Sequence, residues 1–360
     1  TINSLQNTII RNASTATHTI SNGASQALNI ALGNTTDNII AIDGTGGITI
    51  SSIISGPGRA LTKRGTGAGV LELQSANTYT GLTTVNGGTL RLNRTGGGTL
   101  PSSNDITVTS GTLRISTNQT LNNLTVASGA TLIVDAGVTL TINGTYSVSQ
   151  TNDIGSGTIQ INGTLRIEQG GYPGNTGTFS YGPSGTLVFN NSSGSYGVGN
   201  NPYWPISNGP VNVTVAGAGG ITMNVARTVS GTFQTAAGVT NANNITAFGT
   251  LQINTGGFLT GTPTYGGAST LVYNTASYTT TNNEFPNTGV RNVTITAPSS
   301  TNTVTLNEDK IISGTLAIGT HTVNGDKSIN AASITISTGS LVASNLNTQN
   351  SFVCSGASSI

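Results

Sequence analysis

The triplet Gly-Thr-Leu recurs along the chain, and it constrains the fold more than any other feature of the sequence. Its copies begin at Gly88, Gly98, Gly111, Gly163, Gly185, Gly249 and Gly314. After most copies apolar and polar residues alternate, as in Leu90-Arg91-Leu92 and Leu113-Arg114-Ile115. A period of two is typical of a half-buried strand, and a preceding glycine permits a turn with positive φ. The sequence therefore predicts strands and turns throughout.

A longer repeat overlies the triplets. Residues 181–190 match residues 265–274 at an offset of 84 positions. Downstream, Trp204-Pro205 matches Phe285-Pro286, and an Asn-Val-Thr strand pattern at 212 recurs at 292. The offset drifts because loops differ in length. One such unit is long enough for three or four short coils.

Stacked short coils predict an all-β fold, a parallel β-solenoid. A coil of about 20–25 residues with three short strands buries alternate side chains against its neighbours. An array of immunoglobulin-type sandwiches is the alternative, but it needs a large buried aromatic side chain in each domain of roughly 100 residues. The chain has 5% aromatic residues and one tryptophan, which favours the narrow aliphatic core of a solenoid. About 16 coils spaced about 4.8 Å apart would give a rod of roughly 75–80 Å.

Composition excludes several classes of partner. Charged residues make up only 6% of the chain and the formal net charge is +1, which is too little basic charge for a protein that binds nucleic acid. No apolar run is long enough to span a membrane as a helix. Cys354 is the single cysteine, so the chain forms no internal disulfide. Few charges and almost no thiols favour an extracellular location.

The segment from Leu61 to Leu92 reads LTKRGTGAGVLELQSANTYTGLTTVNGGTLRL. It resembles the autotransporter-associated β-strand repeat, in which a Leu-Thr-Lys start is followed by a Gly-rich turn, an L-x-L strand, N-T-Y-T-G and a T-x-V…G-T-L-x-L strand. This family occurs in secreted passenger regions on bacterial surfaces. The resemblance implies a right-handed parallel β-helix in an adhesin-like protein.

Residues 177–325 are similar, more loosely, to repeats in large secreted surface adhesins of Bacteroidetes-type bacteria. We expect a β-helix over residues 1–170, which contains the repeat at 61–92. The β-helix is expected to continue over residues 171–330 with the 84-residue repeats, and terminal coils are expected over residues 331–360. We also expect the chain to be part of something longer, because neither end shows a capping segment.

The sequence predicts no catalytic, cofactor-binding or metal-binding residues, and we expect no enzymatic activity. His18 and His321 lack nearby ligands at metal-binding spacing, and His321 is expected on a solvated turn or strand face. Glycosidase chemistry needs two carboxylates close together. Glu308 and Asp309 are adjacent, but neighbouring strand residues point to opposite faces. Together with Lys310 they predict a charged turn.

Four aromatic residues are candidates for contact with a carbohydrate or a protein partner, namely Tyr196, Tyr203, Trp204 and Phe285. Exposed rings on a polar loop could stack on sugars. The competing interpretation is that Trp204 and its repeat counterpart Phe285 pack a loop against the solenoid. The repetition of an aromatic-proline pair favours packing.

Three function classes suit the predicted fold, and the fold alone does not choose among them. The favoured one is a structural or adhesive section of a secreted surface protein, acting as a stalk, filament or sheath component. Such a section would lie at the cell surface and stay associated with the outer membrane after secretion. Its partners would be its own copies, other surface components, or a glycan or host ligand. The second is a carbohydrate-binding or polysaccharide-degrading β-helix. The third is ice or crystal binding through threonine ladders such as Thr139 and Thr141, which the irregular coil spacing disfavours.

Overall fold

The computed structural model describes residues 2–5, 9–23, 27–36, 38–152, 154–174, 176–296 and 302–355. The chain is a parallel β-solenoid of about 16 turns, which confirms the predicted all-β solenoid. The helical structure among these residues is one 3₁₀ turn, Ala242–Asn244. The chain divides into two compact units, residues 1–186 with 201–209 and residues 187–200 with 210–360.

The strands of the first unit are short, and all except two have five residues or fewer. They are β1 (Ile2–Leu5), β2 (Ile9–Asn12), β3 (His18–Ile20), β4 (Asn29–Leu32), β5 (Ile39–Ile42), β6 (Ile48–Ile50), β7 (Ile53–Ser55), β8 (Leu61–Arg64), β9 (Val70–Leu73), β10 (Thr83–Leu92), β11 (Ile106–Ile115), β12 (Gln119–Leu121), β13 (Leu124–Val126), β14 (Ala130–Val134), β15 (Thr139–Ile142), β16 (Thr145–Val148), β17 (Thr151–Asn152), β18 (Thr158–Ile161), β19 (Thr164–Glu168), β20 (Tyr172–Pro173) and β21 (Thr178–Tyr181).

The remaining strands belong to the second unit, apart from the first residue of β22. They are β22 (Thr186–Asn190), β23 (Tyr196–Val198), β24 (Asn212–Val215), β25 (Ile221–Met223), β26 (Arg227–Val229), β27 (Thr232–Thr235), β28 (Gly238–Thr240), β29 (Ile245–Ala247), β30 (Thr250–Asn254), β31 (Phe258–Leu259), β32 (Thr264–Tyr265), β33 (Thr270–Asn274), β34 (Tyr278–Thr279), β35 (Asn292–Ile295), β36 (Thr303–Thr305), β37 (Lys310–Ile318), β38 (Thr322–Asn324), β39 (Ser328–Ile336), β40 (Ser340–Leu341) and β41 (Asn345–Cys354).

Strands of successive turns pair in parallel. In the first unit Leu61 of β8 lies opposite Thr83 of β10, which lies opposite Ile106 of β11. These turns contain 22 and 23 residues, and the next one, from Ile106 to Leu124, contains 18. These three turns are as short as the sequence predicted, or slightly shorter, whereas the turn from Ile9 to Ile39 is longer, at 30 residues.

The core is a column of aliphatic side chains from alternate strand positions. Leu71 of β9, Leu90 of β10 and Leu113 of β11 stack in register and are fully buried. The residues that follow them, such as Arg91 and Arg114, point outward. Each fully buried aliphatic side chain contributes about 1.5–3 kcal/mol, so the column supplies the main driving force for folding.

The long repeat corresponds to four turns of the second unit. Val213 pairs with Phe233, and the same ladder continues through Leu251 and Leu271 to Val293. Val213 and Val293 occupy matching positions in the two Asn-Val-Thr strands, so one sequence repeat adds four rungs. The domain boundaries expected at 170/171 and 330/331 stay predictions, and position 330/331 falls inside β39.

Glycine serves two different purposes at the start of the Gly-Thr-Leu strands. Gly111 has a φ of 80°, which fits the predicted turn with positive φ. Gly249 is required for space instead, because a Cβ atom there would lie 2.2 Å from the carbonyl oxygen of Gly231 one turn earlier. A turn with positive φ therefore explains only some of these glycines. At the others, the backbone of the previous turn lies so close that only glycine fits.

Candidate functional site

The segment 61–92 forms β8, β9 and the whole of β10, so it winds through more than one turn of the first unit. Thr83–Asn86 of β10 pair with β8, whereas Thr89–Leu92 pair with β9. One strand therefore takes part in two ladders and bends between them at Gly87 and Gly88, which have φ values of 113° and 62°. This bend places the side chain of Lys63 beneath the glycines.

Lys63 is the lysine of the Leu-Thr-Lys start, and it is fully buried. Its Nζ donates hydrogen bonds to the main-chain carbonyls of Arg64 at 2.7 Å and Gly87 at 3.1 Å. Burial lowers the pKa of Lys63 to about 8, although the Asp43 carboxylate opposes the shift. The lysine thus joins one turn to the next through main-chain carbonyl groups beside the bend.

Asn77 and Tyr79, from the N-T-Y-T-G segment, are also directed inward. The Asn77 side chain donates to the carbonyl of Thr99 at 3.0 Å and accepts from the amide of Ile54 at 2.8 Å, so it bridges three turns. The Tyr79 hydroxyl is fully buried and lies 2.8 Å from Thr83 Oγ1. Burial raises the pKa of Tyr79. Asn77 therefore holds successive turns together, whereas Tyr79 fastens the chain locally to Thr83.

The outward face of the same turns carries a charged network. Arg91 binds Glu72 at 3.1 Å, and Arg114 binds Asp135 at 2.9 Å. Arg91 and Arg114 are direct neighbours in the ladder. Burial opposes ionisation of Asp135, but hydrogen bonds from Ser116 and Arg114 outweigh it and lower the pKa of this carboxyl. The negative charges of Glu72 and Asp135 therefore offset the positive charges of the neighbouring Arg91 and Arg114.

Three of the four candidate contact aromatics are buried. Tyr203 and Trp204 in the first unit and Phe285 in the second are 3%, 1% and 1% exposed. Tyr196, on β23 of the second unit, is half-buried. Sugar stacking needs an exposed ring face, so burial favours the packing interpretation for the first three. A partner contact at Tyr196 stays a prediction.

A tyrosine holds the aromatic-proline loop in each copy of the long repeat. In the first unit the Tyr181 hydroxyl donates to the carbonyl of Tyr203 at 2.6 Å, and Tyr172 packs edge-on against Tyr203 at 5.7 Å. In the second unit the equivalent Tyr265 hydroxyl donates to the carbonyl of Glu284. The same contact thus secures the loop ahead of Trp204 and ahead of Phe285.

The structure corrects two sequence expectations. His321 is 1% exposed rather than solvated, because it occupies the same inward face as Val323 two positions later. Glu308 and Asp309 are exposed, as expected for a charged turn, but Lys310 is buried at the start of β37. The alternation in β37 directs Lys310 and Ile312 inward together. A lysine next to two acidic residues carries no sequence signal for such burial.

Threonines form partly regular rows on the ladder of β15, β18 and β21. Thr139, Thr158 and Thr178 stack in register, whereas Thr141 is followed by Gln160 and Ser180. The face beside Thr139 and Thr141 is a groove rather than a plane. The flat two-row lattice that ice binding requires is therefore interrupted after one turn.

Within the described ranges, no three histidine, cysteine or acidic side chains come together in a way that could hold a metal ion. No helix there is long and apolar enough to cross a membrane.

Comparisons with known proteins agree that segment 61–92 is a repeat of the passenger type. The family model described as passenger-associated-transport-repeat matches residues 61–92. A similar curated protein, the adhesin BmaC autotransporter of Brucella suis biovar 1 (strain 1330), is 32% identical over 166 residues, which is 40% of this chain and 5% of that protein. Residues 61–92 thus match a repeat of the autotransporter passenger type, and the chain is similar to an autotransporter adhesin.

The chain spans about 5% of the length of the adhesin it matches. No solved structure matches it. Both matches support a secreted, extracellular surface location and an adhesin-like β-helix. The looser similarity to Bacteroidetes-type surface repeats stays a prediction.

Proposed function

We propose that this chain is a structural and adhesive section of a secreted bacterial surface protein, in which stacked turns act as a stalk. The observation that carries the proposal is the passenger repeat at 61–92, whose motif residues Lys63 and Asn77 connect one turn to another, while Tyr79 braces its own turn through Thr83. Because Lys63 and Asn77 bond to neighbouring turns, the motif adds turns to the column. The residues on the outer faces are then free to vary in sequence. Similarity to an autotransporter adhesin supports the same role.

The stalk would gain length by simple addition, since each turn contacts only its neighbours. About 16 turns at about 4.8 Å each would span roughly 75–80 Å. Small-angle scattering of the purified chain would measure its largest dimension. A maximum dimension close to that of a compact sphere of the same mass would exclude the stalk.

We propose a non-enzymatic role. The outward carboxylates Asp43, Glu72, Asp135 and Glu168 each form an ion pair with an arginine. A general acid in a glycosidase needs a raised pKa, whereas the pKa values of Glu72 and Asp135 are lowered. Polysaccharide hydrolysis by the purified chain would contradict this part of the proposal.

Surface exposure and adhesion can be tested in the bacterium that produces the full protein. Antibodies against residues 1–360 should label intact cells, and deletion of this segment should reduce adherence to host cells or matrix. An antibody against another part of the protein controls for export of the deleted form. Labelling that appears only after lysis would refute the surface location. Unchanged adherence by a correctly exported deletion protein would refute the adhesive role but not the stalk.

A polar groove in the first unit supports a second candidate function, carbohydrate binding. Ser51, Gln74, Asn93 and Arg94 line it, and their amide, hydroxyl and guanidinium groups match sugar hydroxyls in hydrogen-bonding capacity. A glycan array probed with the purified chain would test this function. Binding that is lost in Arg94→Ala but kept in Arg291→Ala, in the other unit, would support it.

Self-association through stacked or laterally packed copies is part of the stalk proposal, because low charge weakens repulsion between copies. Sedimentation of the purified chain over a wide concentration range would test it. A strictly monomeric species at every concentration would exclude association of this segment by itself.

A further inference from the structure

A buried lysine faces two asparagine side chains in the second unit. Lys310 begins β37 and is 1% exposed. With Phe285, Ile312 and Leu316 it lines a small apolar cavity. Its Nζ lies 4.9 Å from the centre of the Phe285 ring and donates to the Phe285 carbonyl at 2.5 Å. The amine is therefore held in one place and shielded from water.

The same nitrogen contacts carboxamide groups of the loop that carries Phe285. Lys310 Nζ is 3.0 Å from Asn282 Oδ1 and 3.4 Å from Asn287 Oδ1. Asn307 Nδ2 also donates to Asn282 Oδ1, at 2.9 Å. The Asn307 donor polarises the carbonyl group of Asn282, which makes its carbon more electrophilic. Asn282 is accordingly the better acceptor of the two.

A carboxylate stands beside the amide nitrogens of both asparagines. Asn287 Nδ2 donates to Glu308 Oε2 at 2.8 Å. The side chain of Asn282 also hydrogen-bonds to Glu308, and these bonds lower the pKa of this carboxyl. Glu308 is ionised near neutral pH and can accept a proton and pass it on. The amine, the polarised carboxamide and the proton carrier thus occupy one cluster.

We propose that Lys310 and Asn282 form an intramolecular isopeptide bond. The neutral amine attacks Cγ of Asn282, so that a Nζ–Cγ bond forms. Glu308 takes a proton from Nζ and passes it to Nδ2. The Cγ–Nδ2 bond then breaks and ammonia leaves, and the product is a secondary amide with no change of oxidation state. The bond links residues 28 positions apart and fastens the loop to the following turns.

Two further observations support the proposal. Burial lowers the pKa of Lys310, although Glu308 and Glu284 oppose the shift, so that more of the amine is neutral than in an exposed lysine. In the preceding copy of the long repeat, Arg227 occupies the matching position and donates to the carbonyl of Gly199 at 2.7 Å. A buried cation is therefore enough to hold the loop that precedes this position in each repeat copy. Lysine differs from arginine because its neutral amine can act as a nucleophile.

Intact mass spectrometry of the purified full chain tests the bond. We expect a mass lower than that of the sequence by one ammonia, and a branched peptide that joins the segments of Asn282 and Lys310 after digestion. Lys310→Arg should restore the full mass, because arginine keeps the charge and occupies this position in the other repeat copy. Lys63→Arg, which changes the other buried lysine, should keep the lower mass.

A folded wild-type chain with the full sequence mass would overturn the proposal. So would a loss of ammonia without a branched peptide, which indicates a cyclic imide at an asparagine. A branch at Asn287 would overturn the assignment of Asn282 as the acceptor. None of these outcomes bears on the surface role, because the isopeptide bond does not depend on adhesion.

Discussion

At the scale of single residues, buried polar side chains add hydrogen bonds to those between backbones. Lys63 donates to the carbonyl of Gly87 in the bend of β10, Asn77 donates to the carbonyl of Thr99, and the Tyr79 hydroxyl bonds to that of Thr83. A buried polar group without a partner costs about 1–3 kcal/mol, so these contacts are required wherever a turn changes direction. The motif residues of the passenger repeat therefore tolerate few other residue types for structural reasons.

Lys63 should make the stability of the chain depend on pH. Its pKa is about 8 in the folded protein and 10.5 in the unfolded chain. Between these values the unfolded chain binds more protons, so the free energy of unfolding rises with pH, by at most about 1.4 kcal/mol per pH unit. Urea unfolding from pH 7 to 9.5 should show this rise in wild type and a smaller one in Lys63→Met.

All other titrating groups are common to both proteins, so the difference between them isolates Lys63. Identical slopes in wild type and Lys63→Met would mean that Lys63 is not desolvated.

The hydrogen bond between Tyr79 and Thr83 should be measurable as a coupling energy. Tyr79→Phe removes the buried hydroxyl and should cost about 1 kcal/mol. Thr83→Val removes the partner. In a double-mutant cycle we expect a coupling of about 0.5–1.5 kcal/mol, since the two hydroxyls satisfy each other. Additive effects in urea denaturation would show that each hydroxyl has another partner.

At the scale of elements, the bent strands β10 and β11 are the unusual feature of the first unit. Each has ten residues and serves two ladders. The bend requires glycine in left-handed conformations, and successive bends stack directly on each other. A Cβ atom at Gly111 would lie 2.3 Å from the carbonyl oxygen of Gly88. Register between turns is thus imposed by backbone contact as well as by side chains.

Gly111→Ala should destabilise the chain by more than about 2 kcal/mol, because it combines a positive φ with a backbone clash. Gly129→Ala is a matched control. Its φ of 85° is close to the 80° of Gly111, but a Cβ atom added at Gly129 would meet nothing within 4 Å. We expect about 1 kcal/mol there from conformational strain alone. Equal losses in chemical denaturation would show that close approach of the turns contributes nothing.

At the scale of the whole molecule, stability should be a sum of neighbouring contacts. Every ladder runs from one turn to the next, so most of the stabilising contacts of a turn are made with the adjacent turns. Opening of one region should therefore propagate through neighbouring strands first. The two compact units allow this to be measured within a single chain.

Hydrogen exchange should show local rather than uniform destabilisation in Gly111→Ala. We expect the amides of β10 and β13, which pair with β11, to exchange faster than in wild type. The amides of β30 and β33 in the second unit should change little. A uniform increase across both units would indicate a single cooperative unfolding transition and would contradict the additive picture.

The repeat pattern alone was enough to predict strands, short turns, an aliphatic column and the passenger-type resemblance at 61–92. These properties follow from the alternation of apolar and polar residues and from regularly placed glycines, which act over a few neighbouring positions. The packing of Trp204 and Phe285 was also favoured by repetition, because two equivalent aromatic-proline pairs indicate a structural role.

The positions of Lys63, His321 and Lys310 depended on the tertiary structure. Lys63 and Lys310 lie on the inward faces of their strands, and they donate to carbonyl groups of the next turn and of a distant loop. His321 is buried directly before β38. The space that excludes a Cβ atom at Gly249 likewise belongs to the previous turn. Local sequence determines which residues can form a strand. Only the stacking of turns determines which backbone groups are left for a buried side chain to satisfy.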